Sequence, residues 1–251
     1  MSDRAFGIDV SRWQQTVDWA AVKGAGASFA FIKASQHHNY TDPNFKTNWA
    51  AAKAAGLPRG AYHFFQPGVN PQKQAEYFAQ ILADDPGELP PVLDLEDPGQ
   101  MGNKQLVEHS KIFLDTLQQM LQRKPLIYTS RIFWHDRMWW PSGQYAPYTK
   151  DYEFWVAHYT TQPEPKTHAS WPGWRIWQYT ETGKIAGVAG KVDLNWFNGS
   201  AADFTAWMEA QANVSFATLE VGDYSALPDE GWAQAVSDAA PPARSSFAGD
   251  A

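Results

Sequence analysis

Runs of β-forming residues alternate with helix-forming stretches through the first half of this chain, and that alternation restricts the fold more than any other feature. Residues 5–10 read as a strand, followed by a helical pattern over 17–23 that stops at Gly24. Residues 29–34 are a second strand. Asp42-Pro43 then opens a helix running through Ala55 to a stop at Gly56, with proline early and glycine at the end, as helices prefer. Residues 60–65, 91–96 and 126–129 continue the strand series, with helices over 71–82 and 103–122 between them. Past Thr129 the rhythm changes. Residues 154–159, 175–179 and 191–196 are strands separated by loops of Pro, Gly and Thr. Strand–helix units imply a mostly parallel sheet. Eight strands so ordered predict an α/β fold, a closed TIM-type β/α barrel modified by loss of most helices from its last three strands. A doubly wound open sheet is the competing architecture.

With 251 residues, 44% of them hydrophobic, the chain has material for one large core. Cysteine is absent, which excludes a disulfide scaffold, thiol catalysis and Cys-ligated metal centres. A net charge of −7 argues against a nucleic-acid binder led by phosphate contacts. No apolar run approaches the roughly 20 residues that cross a bilayer, so no membrane insertion is expected. The opening Met1-Ser2-Asp3-Arg4 lacks the basic-then-apolar pattern of a classical signal peptide. From Glu209 onward the chain holds seven acidic residues against one basic, Arg244, in a stretch rich in Ala, Ser and Pro. Residues 1–208 are therefore read as the folded body and 209–251 as an acidic appendage, its last dozen residues disordered. Phe216, Leu219, Tyr224, Leu227 and Trp232 are too apolar for a pure linker.

The segment Pro90-Pro-Val-Leu-Asp-Leu-Glu carries the most chemical information. Side chains alternate along a strand, so Leu93 and Leu95 face one way and Asp94 and Glu96 the other. In a barrel the polar pair faces the axis near the strand's C-terminal end, where barrel active sites are built. Like charges held close in a partly dry site disfavour each other's ionisation, which suits one carboxyl to act as an acid. An isolated D-x-E is a common tripeptide and more often caps a helix or pairs with arginine. Two further acids change the balance: Asp9 and Asp193 are each a lone carboxylate inside an apolar strand with inward parity. Barrel closure makes the first and last strands neighbours, so these two would sit side by side, with Asp94 and Glu96 opposite.

Such a cluster also suits a magnesium, calcium or manganese ion. The seven histidines show no H-E-x-x-H or other short ligand spacing, so no metal and no cofactor is expected. There is no P-loop, Gly-rich dinucleotide signature or G-x-S-x-G elbow. Aromatic and amide groups recur at the strand ends: Tyr62, Phe64, Phe65, Tyr128, Trp155, His158, Tyr159, Trp177, Gln178 and Tyr179. Sugar rings have apolar faces and polar rims, so a cleft of this composition fits a glycan. Core filling accounts for about half of the rings, and Trp134, Trp139 and Trp140 fall in an irregular stretch where loop packing serves equally well.

Gly7-Ile-Asp-Val-Ser…Trp13, Phe31-Ile-Lys-Ala-Ser, Gly60-Ala-Tyr-His-Phe, Val92-Leu-Asp-Leu-Glu, Ile127-Tyr-Thr, Trp155-Val-Ala-His-Tyr, Trp177-Gln-Tyr-Thr and Val192-Asp-Leu-Asn occur in that order. Together they resemble glycoside hydrolase family 25, the lysozymes (N-acetylmuramidases) of bacteria, phages and some fungi, over about residues 5–200. The resemblance implies five β/α units followed by three strands. It also implies retaining cleavage of the β-1,4 bond from N-acetylmuramic acid to N-acetylglucosamine in peptidoglycan. By position, Glu96 looks like the general acid and Asp94 its partner carboxylate, with Asp9 and Asp193 as supporting acids. Lys33 and Tyr128 match positions lining the substrate cleft; Tyr62, Phe64, Trp155 and Gln178 join them as expected substrate contacts. The partner expected is the glycan strand of peptidoglycan, with a monomer as the default. The start of the chain fits a phage endolysin passing from host cytoplasm to cell wall through a holin, or a protein exported by a non-classical route. A chitinase-like acetamido-sugar hydrolase and a non-catalytic glycan-binding barrel are the competing functions.

Overall fold

The computed structural model of the chain describes residues 3–139 and 143–212, together with Gly222 and Tyr224. Its elements are β1 (Arg4–Val10), α1 (Trp19–Gly24), β2 (Phe29–Gln36), β3 (Tyr40–Thr41), α2 (Phe45–Ala54), β4 (Arg59–Phe64), α3 (Pro71–Leu82) and β5 (Val92–Asp94). They continue with α4 (Asn103–Leu121), β6 (Leu126–Ser130), α5 (Arg131–Arg137), β7 (Glu153–Ala157), β8 (Ile176–Gly183), β9 (Val192–Ser200) and α6 (Ala201–Ala212). Strands β1, β2, β4, β5, β6, β7 and β8 pair in parallel in that order. β9 runs antiparallel between β8 and β1 and closes the barrel. The doubly wound alternative is excluded by that closure. β3 is a short hairpin partner of β2, outside the eight barrel strands.

Alternation along the strands sorts the core into two layers. Ile8, Val10, Ile32, Ala61, Leu93, Leu95, Ile127, Val156, Trp177 and Leu194 pack outward against the helices. Phe29, Phe31, Tyr62, Val92, Leu126, Tyr128, Trp155, Ile176 and Phe197 fill the barrel itself. Two glycines make room for the largest of these: a Cβ on Gly7 would lie 2.3 Å from the Phe29 ring, and one on Gly60 2.4 Å from Phe31. The N-terminal end of the barrel is stoppered by α6. Phe204 stacks on Phe29 at 5.1 Å, and Trp207 donates its indole N–H to Glu153. The opposite end, at the C-terminal ends of the parallel strands, stays open.

Two local expectations are corrected. Asp42-Pro43 does not open α2. The helix begins at Phe45, and Asp42 is buried with its carboxylate accepting the backbone N–H of Arg12 and of Asn44. α5 lies in the stretch read as irregular; Ser130 caps it by accepting from Phe133 N–H, and Trp134 is wholly buried against Trp171. A seven-residue helix is too short to hold by propensity and needs such packing. Trp140 lies outside the described residues, as do Phe216, Leu219, Leu227, Trp232 and the last dozen residues. Tyr224 meets the head of α3, its N–H donating to Gln72 and its carbonyl accepting from Asn70.

Between barrel and helices lies a buried polar group of another kind. His63 is fully buried, with one ring nitrogen 2.8 Å from Ser35 Oγ, the other 3.1 Å from Gln74 Oε1, and Phe78 and Phe113 against its ring. Burial pushes its pKa down from 6.5 to about 3. Unfolding between those values takes up a proton. The stabilisation is therefore complete above pH 6.5 and is lost as pH falls from 6.5 toward 3, at up to about 1.4 kcal/mol per pH unit. NMR titration should find this imidazole neutral at pH 5 while the urea midpoint falls between pH 6.5 and 4.5; a histidine that charges near pH 6 in the folded protein would contradict the assignment.

Candidate active site

Asp9 lies one residue from the end of β1, on the inward face set by its alternation with Ile8 and Val10. It is only 2% exposed. A buried carboxylate must be hydrogen-bonded to persist. One oxygen of Asp9 accepts from Gln178 Nε2 at 2.9 Å and from Asn195 Nδ2 at 2.8 Å. Each amide passes the connection on through its own oxygen. Gln178 Oε1 accepts from the hydroxyls of Tyr128 (2.9 Å) and Tyr159 (2.7 Å), and Asn195 Oδ1 accepts the indole N–H of Trp155 (2.8 Å). The network thus ties β1, β6, β7, β8 and β9 together at one level of the barrel.

Asp94 ends β5, also 2% exposed, and reaches the same place from the far side. Asp9, Tyr62, Asp94, Tyr128 and Trp155 line one narrow cleft. Strand register accounts for the convergence: Phe64 pairs with Asp94, Asp94 with Tyr128, and Tyr128 with Trp155, so the four occupy one ring of the barrel. Asp193 is the direct cross-strand partner of Asp9 in the β1–β9 ladder, and directly opposed antiparallel residues share a face. Glu96 follows β5. Leu95 between them still donates its N–H to Tyr128 C=O and belongs to the outer core. Glu96 is half-buried at the open end.

Among the other residues read from the sequence, Tyr62, Tyr128, Trp155 and Gln178 are buried and make the floor. Trp155 is packed 4.6 Å from Phe31 and 4.8 Å from Tyr128. Lys33 and Phe64 are half-buried at the rim, where the Lys33 ammonium sits 4.8 Å above the Phe64 ring and donates to Gln36 Oε1 at 2.7 Å. Trp177 and Tyr179 do not contribute to the cleft. Flanking Gln178, they take the opposite face: Trp177 donates to His158 C=O, and Tyr179 stacks on Trp196 at 5.3 Å. Phe65 likewise lies in the outer core. One network member escaped the sequence reading of the site, Asn195; Tyr159, read there only as one of the strand-end aromatics, joins through its hydroxyl. The signal for Asn195 was available, because it stands two residues from Asp193 and so on the same face. Among the described residues, no three acidic or histidine side chains are grouped so as to hold a metal ion, and no helix is long and apolar enough to cross a membrane.

The arrangement supplies two buried carboxylates facing across a narrow aromatic cleft, with a third acid beside one and a fourth at the lip beyond the other. Such a site can protonate a leaving oxygen and stabilise positive charge, the pair of tasks that glycosidic bond cleavage needs. Comparison with known proteins agrees. The sequence model of "Glycosyl hydrolases family 25" matches residues 8–188. Lysozyme M1 of Streptomyces globisporus is 39% identical over 206 residues, 78% of this chain and 68% of that protein. The protein YegX of Escherichia coli K12 is 37% identical over 208 residues, 81% and 73% of the two chains. A bacterial lysozyme structure from Streptomyces coelicolor superposes with a TM-score of 0.71 at 34% identity, covering 82% of this chain and 98% of the other.

Removing the Asp9 carboxylate would leave two buried amide donors without their acceptor. Asp9→Ala should lower stability by about 2–4 kcal/mol in urea unfolding. Asp9→Asn keeps an oxygen that both donors can reach and should lose clearly less; equal losses would mean that the network does not support the fold.

Proposed function

The chain belongs to glycosyl hydrolase family 25 and is a glycoside hydrolase, and from that premise we propose that it is a lysozyme cutting the β-1,4 bond between N-acetylmuramic acid and N-acetylglucosamine in peptidoglycan, with retention and with lysis of the wall as the outcome. The observation that carries the reading is the convergence of Asp9 and Asp94 in one cleft at the open end of the barrel, with Glu96 two residues beyond Asp94. The lysozymes among the chain's relatives support the substrate class.

In this reading Glu96, at the lip where a glycosidic oxygen can approach, is the general acid. It donates its proton to the leaving oxygen while positive charge develops at the anomeric carbon. Asp94, two residues back and deeper, faces the reacting sugar. Two routes complete retention. A carboxylate can attack the anomeric carbon, which asks for a separation of about 5–5.5 Å between the two carboxyls. Alternatively the substrate's own 2-acetamido oxygen attacks, with Asp94 orienting and polarising the amide. We favour the second, because two acids on one strand attack poorly from opposite faces of a ring. Asp9 and Asp193 stabilise the cationic transition state from the neighbouring wall. Lys33, Tyr62, Phe64, Tyr128, Trp155 and Gln178 shape the surface against which the sugars lie, Tyr62, Tyr128, Trp155 and Gln178 chiefly by setting its floor. The acidic stretch after the barrel is an appendage to this machinery.

Glu96→Gln should fold normally and reduce turnover on purified cell walls by several orders of magnitude, read as release of reducing ends. Mass spectrometry of the wild-type digest should find muramic acid at the new reducing end. N-acetylglucosamine there, or cleavage of chitin oligomers in preference to peptidoglycan, would reassign the bond. Wall lysis by the Glu96→Gln variant near the wild-type rate would refute the acid's assignment.

A further inference from the structure

Immediately after β1, a short 3-10 turn, Arg12–Gln14, stands at the same end of the barrel as the cleft. Its backbone is heavily constrained. Ser11 and Gln14 form a reciprocal cap, Asp42 accepts the Arg12 N–H at 3.0 Å, and Asn44 donates to Gln15 C=O at 3.3 Å. Gln15 itself sits at φ 54°, a left-handed conformation that a non-glycine residue holds only where its surroundings enforce it. Yet this rigid turn leaves Trp13 47% exposed, more than any other large hydrophobic side chain among the described residues. One face of its indole is covered by the Arg12 guanidinium at 4.7 Å, which also donates to the Tyr40 hydroxyl at 2.9 Å on the adjoining hairpin. The remaining face is presented to solvent.

We propose that Trp13 is a distal sugar-binding ledge, its open indole face stacking on a pyranose of the glycan strand outside the catalytic cleft. The inference rests on the peptidoglycan reading above. A flat apolar surface matches the C–H face of a sugar ring, and a side chain carried on a constrained turn and backed by a guanidinium has less freedom to lose on binding. Trp13 follows Asp9 by four residues, so the two backbones lie at most about 14 Å apart, and one glycan strand can reach both. Arg12 and Tyr40 position the indole.

The experiment compares kcat/KM on long, peptide-free glycan strands with kcat/KM on short muramic-acid-containing oligosaccharides, for wild type, Trp13→Ala, Trp13→Leu and Trp13→Phe, with circular dichroism to confirm folding. The long-to-short ratio should fall about threefold to tenfold in the Ala and Leu variants, through KM, and recover in the Phe variant. An unchanged ratio in folded variants of an enzyme that cleaves both substrates would overturn the ledge alone. An effect seen only when stem peptides are attached would overturn it in favour of peptide binding. A wild-type protein that cuts neither substrate would overturn the muramidase reading and the ledge with it.

Discussion

The structure turns on one buried charge. Asp9 receives two amide N–H groups, from Gln178 on β8 and Asn195 on β9, and those amides are themselves held by Tyr128, Tyr159 and Trp155. An ion taken out of water is tolerated only when such partners replace its hydration. The two partners lie 169 and 186 residues from Asp9 along the chain. The network that satisfies the charge is therefore also a clasp across the seam where the barrel closes. Any relaxation of that seam would move one wall of the cleft that Asp9 and Asp94 line.

The antiparallel insertion of β9 makes this possible. A parallel eighth strand would need another crossover, whereas β9 follows β8 directly and returns through the seam. It delivers Asp193 opposite Asp9 and Asn195 beside it, and then leads straight into α6 at the other end. Phe204 and Trp207 fill that end, so the molecule has a sealed base and an open mouth. Acids, rim cation and exposed indole all collect at the mouth.

Much of this was legible beforehand, and the failures have definite causes. Strand periodicity placed Asp94 on the face opposite Leu93, and it paired Asp9 with Asp193 once closure was assumed; Glu96 lies beyond the strand, because the ladder of β5 ends at Asp94 and not at residue 96 as the alternation suggested. Sequence order alone also located α3 to the residue, since Asn70 caps it and Pro71 begins it. The same periodicity should have separated Gln178 from Trp177 and Tyr179, but chemical resemblance among aromatic groups masked their opposite directions. α5 was missed because Arg131–Arg137 has no helical signal strong enough to survive without Trp134 buried beneath it. Asp42 was taken for a helix cap because Asp-Pro commonly is one; its actual partners include the backbone of a turn thirty residues earlier.

Local order along the chain settled the alternation of strands and helices, the inward or outward direction of each strand residue, and the list of acids able to do chemistry. Those properties follow from backbone geometry over a few neighbouring residues. Which acids share a cleft, which amides satisfy Asp9, and which tryptophan remains in water depended on register between strands, on the direction of β9 and on the shape left after the core had filled. Such relations join residues far apart in sequence, and no short stretch of the chain contains them.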